Sequence, residues 1–159
     1  MSDNKNRIQS LAREAALLPQ EEVLQISERT SELVIGIPKE ESFQEKRVAL
    51  VPEAVALLVA RGHQVLVESG AGEQAHYQDS DYSESGARIV YDRRQVFQTA
   101  MVIKVEPPTL EEVGLMGMRQ TLISALQWTV QSEGVLEALA KKKTTAIAWD
   151  FLQNANGIF

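Results

Sequence analysis

The sequence predicts an α/β fold: an open, mainly parallel sheet with helices on both faces, preceded by an N-terminal helical extension. Three observations predict it. Short unbroken runs of Val, Ile and Leu recur along the chain, as suits strands buried on both sides. Segments of about one to three helical turns separate them. Loops rich in proline, glycine and charge sit at the junctions. Strands alternating with short helices imply βαβ units, whose right-handed crossovers place helices on both faces.

Each element follows from local chemistry. From Lys5 to Ser27, Ile8, Leu11, Ala12, Ala15 and Leu18 share one helical face, and Pro19 breaks the helix in two. Leu33 to Ile37 is the first strand. Pro52 sits where a first-turn helix proline belongs, with Glu53 beside it to suit the helix dipole; the helix turns Val55, Leu58 and Val59 inward and stops at Arg61-Gly62. Gln64 to Glu68 is the second strand, followed by the loop Ser69-Gly70-Ala71-Gly72. Asp79 to Gly86 reads as a short helix capped by Asp79 or Ser80, Ala87 to Val90 as a strand, and Asp92 to Thr99 as a helix. Ala100 to Val105 is a strand followed by Glu106-Pro107-Pro108. Thr109 to Gly114 makes a capped turn of helix. Gln120 to Leu126 is a strand, Ser132 to Lys143 a helix with a serine cap and a lysine-rich end, and Thr144 to Trp149 the last strand. The ending, Phe151 to Phe159, carries an Asn-Gly turn signal followed by new apolar residues, as if the chain were entering another element. The expected division is 1–32 for the extension, 33–153 for the α/β domain and 154–159 for a crossover.

Bulk properties bound the function. With 159 residues the chain fits one domain with a proper core. A formal net charge of −6 argues against a general nucleic-acid binder. Without cysteine there are neither disulfides nor thiolate metal ligands. No apolar run approaches the ~20 residues of a membrane span, and the N-terminus has no signal-peptide core. The expectation is a soluble cytoplasmic protein.

Candidate chemistry lies on loops that follow strands, where open α/β sheets place ligand-binding groups. Lys39, Lys46 and Arg47 lie between the first strand and its helix, which points toward a small anionic substrate. Arg47 is either a surface arginine with its stem on the core or a bidentate carboxylate clamp. Lys104 ends an apolar strand, so it is either an edge-strand gatekeeper or the partner of an anion. The glycines of Ser69–Gly72 lack the third glycine of a GxGxxG nucleotide fingerprint and read as a turn needing positive φ. His63 is expected at the opposite end of the sheet, and His76 with Tyr77 in a solvated loop; two isolated histidines make no metal site.

Three segments taken together resemble a known family. Ile35-Gly-Ile-Pro-Lys-Glu40, Glu45-Lys-Arg-Val-Ala-Leu-Val-Pro-Glu53 and Arg61-Gly-His-Gln-Val-Leu-Val-Glu-Ser-Gly-Ala-Gly72 are similar to the start of alanine dehydrogenases and of the alpha subunit of proton-translocating nicotinamide nucleotide transhydrogenase. Asp81-Tyr82, Gly86 to Val90, Ile103-Lys104-Val105 and Thr145 to Asp150 continue the pattern in order. The resemblance, closest to alanine dehydrogenase, covers about Val34 to Gln153. It implies a flavodoxin-like (Rossmann-like) substrate-side domain, a second domain of the same full-length chain that binds NAD, and an active site in the cleft between them. It also implies that a returning C-terminal segment completes the first domain. By this resemblance Arg47 falls on the arginine that binds the substrate carboxylate. Lys104 falls on the lysine that contacts the carboxylate and carbonyl of pyruvate. Gln127 stands where alanine dehydrogenases carry their acid/base histidine, and a glutamine side chain does not shuttle a proton near neutral pH. The expected ligand is a small 2-oxo or amino acid, with a homo-oligomeric assembly. The alternatives are the first domain of a transhydrogenase alpha subunit and a non-catalytic ligand-binding or oligomerisation module. The fragment by itself is expected to be inactive and to expose apolar surface on its sheet edge or cleft face.

Overall fold

The computed structural model describes residues 32–42, 44–127 and 133–152. In chain order it contains β1 (Val34–Ile37), α1 (Pro52–Ala60), β2 (Gln64–Glu68), α2 (Asp79–Glu84), β3 (Arg88–Val90), α3 (Arg93–Phe97), β4 (Met101–Ile103), α4 (Leu110–Leu115), β5 (Thr121–Ser124), α5 (Glu133–Lys141) and β6 (Thr145–Ala148). Single 3-10 turns follow β2 and β6, at Glu73–Ala75 and Trp149–Phe151. The predicted N-terminal helices, the Ser132 cap and the crossover at 154–159 lie outside the described residues.

All six strands pair in parallel, in the order β3-β2-β1-β4-β5-β6. The predicted open α/β sheet is therefore present, and of the two common doubly wound orders it has the 3-2-1-4-5-6 arrangement. The period-2 alternation of side chains divides the apolar residues between two cores. Ile35, Ile37, Val65 and Val67 face one way and pack with Val55 of α1 and Tyr82 of α2. Leu66, Val102 and Leu122 face the other way and pack with Val96 and Phe97 of α3, Val113 of α4 and Val135 and Leu139 of α5.

Two details set the packing. Gly36 in β1 lies so close to α3 that a Cβ there would enter the van der Waals shells of the Val96 carbonyl and the Thr99 hydroxyl. Tyr82 is fully buried, and its hydroxyl donates to the Leu50 carbonyl at 2.9 Å, which ties α2 to the strand-to-helix loop ahead of α1. Burial pushes its phenol up to about 12.

Several boundaries are shorter than expected, because strand pairing ends where the flanking loops leave the sheet. The cap of α2 is a correction. Gln78, not Asp79 or Ser80, is the N-cap, and its N–H donates to Asp81 at 2.7 Å. Asp79 instead accepts from the Ser69 hydroxyl at 2.7 Å and the Gly70 N–H at 2.8 Å, so it serves the preceding loop. In α3, Asp92 does cap, accepting from the Arg94 N–H at 3.0 Å. β6 closes one edge of the sheet with three of its four residues exposed; Ile147 is 38% exposed. No helix among the described residues is long and apolar enough to cross a membrane.

Candidate functional site

In a 3-2-1-4-5-6 sheet the strand order reverses between β1 and β4, and the crevice beyond their carboxyl ends is where such folds bind ligands. Here that crevice holds Lys39, Glu40 and Glu41 after β1 and Lys104, Val105 and Glu106 after β4.

Lys104 is the centre of this cluster. It is 2% exposed. An ammonium so far from water needs anions close by. Its Nζ donates to both oxygens of Glu112, at 2.8 and 2.9 Å, and lies 3.4 Å from Glu40. β4 is an interior strand, flanked by β1 and β5, so the edge-gatekeeper alternative is excluded. The anion that Lys104 meets belongs to the protein itself.

Glu112 owes its position to α4. Thr109 caps that helix, accepting from the Glu112 N–H at 3.2 Å while Glu112 Oε2 accepts from the Thr109 N–H at 2.8 Å. This capping box swings the carboxylate back over the helix N-terminus and onto Lys104. Arg93, from the first turn of α3, reaches the same carboxylate at 2.6 Å. It also pairs with Glu41 and lies 3.8 Å from Glu68 at the end of β2. The Glu40 carboxylate accepts from the Val105 N–H at 2.5 Å and the Glu106 N–H at 3.4 Å, pinning the β1 loop to the β4 loop. Burial pushes the Glu40 and Glu68 carboxyls above the usual carboxylate range. Lys104 and the backbone N–H groups offset this in part for Glu40, as the Lys39 N–H does for Glu68.

Arg47 lies in the loop between β1 and α1 with 76% of its side chain exposed, so its stem is not laid on the core. Its fork already grips a carboxylate side-on: Nε and Nη2 donate to Glu45 at 2.8 and 2.6 Å. The Arg47 hydrogen bond holds Glu45 below the usual carboxylate range, and Glu45 in turn raises Arg47. Glu106 and Glu40 add to this weakly through space.

Gln127 follows β5, on the same end of the sheet. It is exposed and has a φ of +41°, a left-handed conformation uncommon for a residue with a side chain. Asp150 holds that backbone, accepting from the Leu126 N–H at 3.0 Å and the Gln127 N–H at 2.8 Å. His63 lies at the opposite end of the sheet, where its Nδ1 accepts from the Leu33 N–H at 3.5 Å. His76 is exposed in the loop after β2. Among the described residues no group of three His, Cys, Asp or Glu side chains is placed to hold a metal ion.

The Ser69–Gly72 loop is a packed turn. Gly70 has a φ of +75°, and a Cβ at Gly72 would lie 2.6 Å from the Tyr82 ring. The Gly70 N–H is committed to Asp79, whose carboxylate would repel a phosphate. These residues do not fit a dinucleotide.

Sequence reasoning placed Lys104, Arg47 and Gln127 on one end of the sheet but missed Glu112, Arg93, Glu40 and Glu68 as one charge network. The Thr109-x-x-Glu112 pattern signals a helix start. It does not signal that the same carboxylate also reaches β4. Chemically, the crevice offers a buried ammonium, an exposed guanidinium and a neutral amide.

The family model described as "Alanine dehydrogenase/PNT, N-terminal domain" matches residues 36–158. The alanine dehydrogenase of Bacillus subtilis is 39% identical over 118 residues, 74% of this chain and 31% of that protein. The alanine dehydrogenase of Mycobacterium tuberculosis is 38% identical over 124 residues, 77% of this chain and 33% of that protein. Among solved structures, an L-alanine dehydrogenase superposes with a TM-score of 0.75 at 36% identity, covering 79% of this chain and 34% of that one. A transhydrogenase from Sinorhizobium meliloti superposes with a TM-score of 0.69 at 26% identity, covering 76% of this chain and 36% of that one. The chain thus spans about a third of the length of the curated relatives it matches.

Proposed function

We infer function from one premise: the chain belongs to the alanine dehydrogenase/PNT family, whose N-terminal domain it carries. We propose that this domain is the substrate-holding half of an alanine dehydrogenase-like oxidoreductase acting on L-alanine and on pyruvate with ammonia. The observation that carries the proposal is a buried lysine, Lys104, after β4 at the β1/β4 crevice, with the exposed Arg47 on the loop that follows β1.

Arg47 anchors the substrate carboxylate. With Nε and one Nη2 proton on Glu45, the other Nη protons of its guanidinium are the ones offered to a ligand. Lys104 polarises the carbonyl or imine, a task for a fixed positive charge in a site shielded from water. Gln127 contributes a hydrogen bond and orientation, and a water or another group must carry the proton. NAD, when bound, supplies or takes the hydride. The Ser69–Gly72 turn does not fit it, and in this reading a second domain of the full-length chain holds it. The same reading carries a cytoplasmic location and a homo-oligomer.

Two measurements test this. Full-length protein should oxidise NADH only when pyruvate and ammonia are both present, and absence of that change sinks the proposal. Calorimetric titration with pyruvate should give binding that Arg47→Ala weakens by about ten-fold, the loss of one charge-assisted bidentate contact. Gln127 favours a second reading, a transhydrogenase first domain, because hydride exchange between nucleotides needs no acid/base group. Apolar spans downstream of this domain would support it; a chain that ends soon after one dinucleotide-binding domain would exclude it. Pyruvate binding that depends on Arg47, without turnover in the full-length protein, would instead mark a non-catalytic ligand-binding module.

A further inference from the structure

Helix α1 is apolar on every side. After Glu53 it runs Ala54-Val-Ala-Leu-Leu-Val-Ala60, with no polar residue before Arg61. A helix of that composition is ordinarily covered all round. The sheet covers one side: Val55 is fully buried, and Leu58 and Val59 pack against the same core. On the other side Leu50, Ala54, Leu57, Leu58 and Arg61 line a groove of about 340 Å³. Leu57 is 68% exposed there. By contrast, α5 turns polar groups to water, where Glu137 and Lys141 pair at 2.9 Å.

The groove fits aliphatic side chains. Arg61 is the one charged side chain that lines it, and no set of polar groups converges there as a small-molecule site requires. The chain enters the fold beside this Arg61 end. Glu32 accepts from Gln64 Nε2 at 2.5 Å, and His63 Nδ1 accepts from the Leu33 N–H at 3.5 Å. Gln64 and His63 follow directly on the turn that ends α1. The chain ahead of Glu32 therefore meets the fold at the Arg61 end of α1.

That part of the chain carries a matching stripe. Ile8, Leu11, Ala15 and Leu18 recur at helical spacing. At 1.5 Å per residue they extend over about 15 Å, against about 13 Å for α1. Residues 19–31 supply a connection that can stretch to about 40 Å, ample to reach along the groove. Charge sets the direction. Glu21 and Glu22 follow the stripe and suit Arg61, whereas Lys5 and Arg7 precede it and suit the exposed Glu53 in the first turn of α1.

We propose that residues 5–18 of the N-terminal extension dock on this groove within the same chain, laying Ile8, Leu11, Ala15 and Leu18 against Leu50, Ala54, Leu57 and Leu58. The extension is then the outer cover of α1. Neither Lys104 nor Arg47 takes part, so this docking and the activity proposed above can fail separately.

The test is limited trypsin digestion of the full-length protein, followed at Arg7 and Arg13. Leu57→Asp places a charge in the groove at a position exposed in the rest of the fold. It should speed cleavage at both sites at least about ten-fold over the parent, the scale of losing a buried leucine. Leu11→Asp breaks the same contact from the extension and should give a similar acceleration. The double variant should be cleaved no faster than the faster single one, because the two residues share one interaction. Equal rates in the parent and both variants overturn the proposal. Acceleration by Leu11→Asp but not by Leu57→Asp also overturns it, since the extension then lies elsewhere and another segment or partner covers the groove. Oxidative cross-linking separates one chain from two, as these 159 residues contain no cysteine. With Leu57→Cys paired in turn with Leu11→Cys, Ala15→Cys and Leu18→Cys, a disulfide within one chain is expected from at least one pair. A disulfide only between chains assigns the groove to a second copy, and none from any pair leaves the groove without the extension; either result overturns the proposal.

Discussion

At the scale of single residues, the site is defined as much by its carboxylates as by its cations. Glu68 is partly buried at the end of β2, and burial holds its carboxyl above the ordinary value of 4.5. A carboxylate whose pKa is raised on folding binds more protons in the native state. Its stabilising contribution is complete below the unfolded value and is lost as pH rises through the folded one. Glu40 adds in the same direction, and Glu45, whose carboxyl is lowered, opposes them. Stability from urea unfolding should therefore decline less steeply between pH 4.5 and neutrality in Glu68→Gln than in the parent, because glutamine still accepts the Lys39 N–H without a charge to bury. Identical slopes would show that Glu68 carries no such burden. A second residue-scale prediction concerns Gly36. A methyl group there meets the Val96 carbonyl, which is backbone and cannot swing away. Gly36→Ala should cost about 1–3 kcal/mol in the same experiment, the usual scale of overpacking.

At the scale of elements, α4 is six residues long and too short to be stable by itself. Its capping box and the packing of its Val113 into the core hold it. Thr109→Ala should destabilise the domain by about 0.5–2 kcal/mol, the ordinary cost of losing an N-cap. The elements were largely legible in the sequence, since apolar runs, Pro52, Gly62 and Asp92 are local signals. The misplaced cap at α2 shows where local signals stop. Asp79 is as good a cap as any by type, but Ser69 and Gly70, ten and nine residues earlier, claimed it. The charge network was illegible for the same reason. Lys104, Glu40 and Arg93 are ordinary charged residues in sequence, and only the parallel order of β1, β2 and β4 brings their loops together.

At the scale of the whole molecule, β6 is an edge strand whose Ile147 faces outward, on a domain that spans about a third of its relatives' length. Edges of that kind are normally covered or charged.

The ties around Lys104 have a kinetic consequence. The bond from Val105 to Glu40 joins residues 65 apart, and that from Arg93 to Lys39 residues 54 apart. Ordering so much chain for a few polar bonds is unfavourable until β1 and β4 are already side by side. The charge network should therefore form after the folding transition state and act as a late clasp. In stopped-flow experiments Glu40→Gln should leave the refolding rate nearly unchanged and speed unfolding, because interactions absent from the transition state govern how slowly the native protein opens. The residues that tie the loops after β1 and β4 together would then also set how long the domain stays folded.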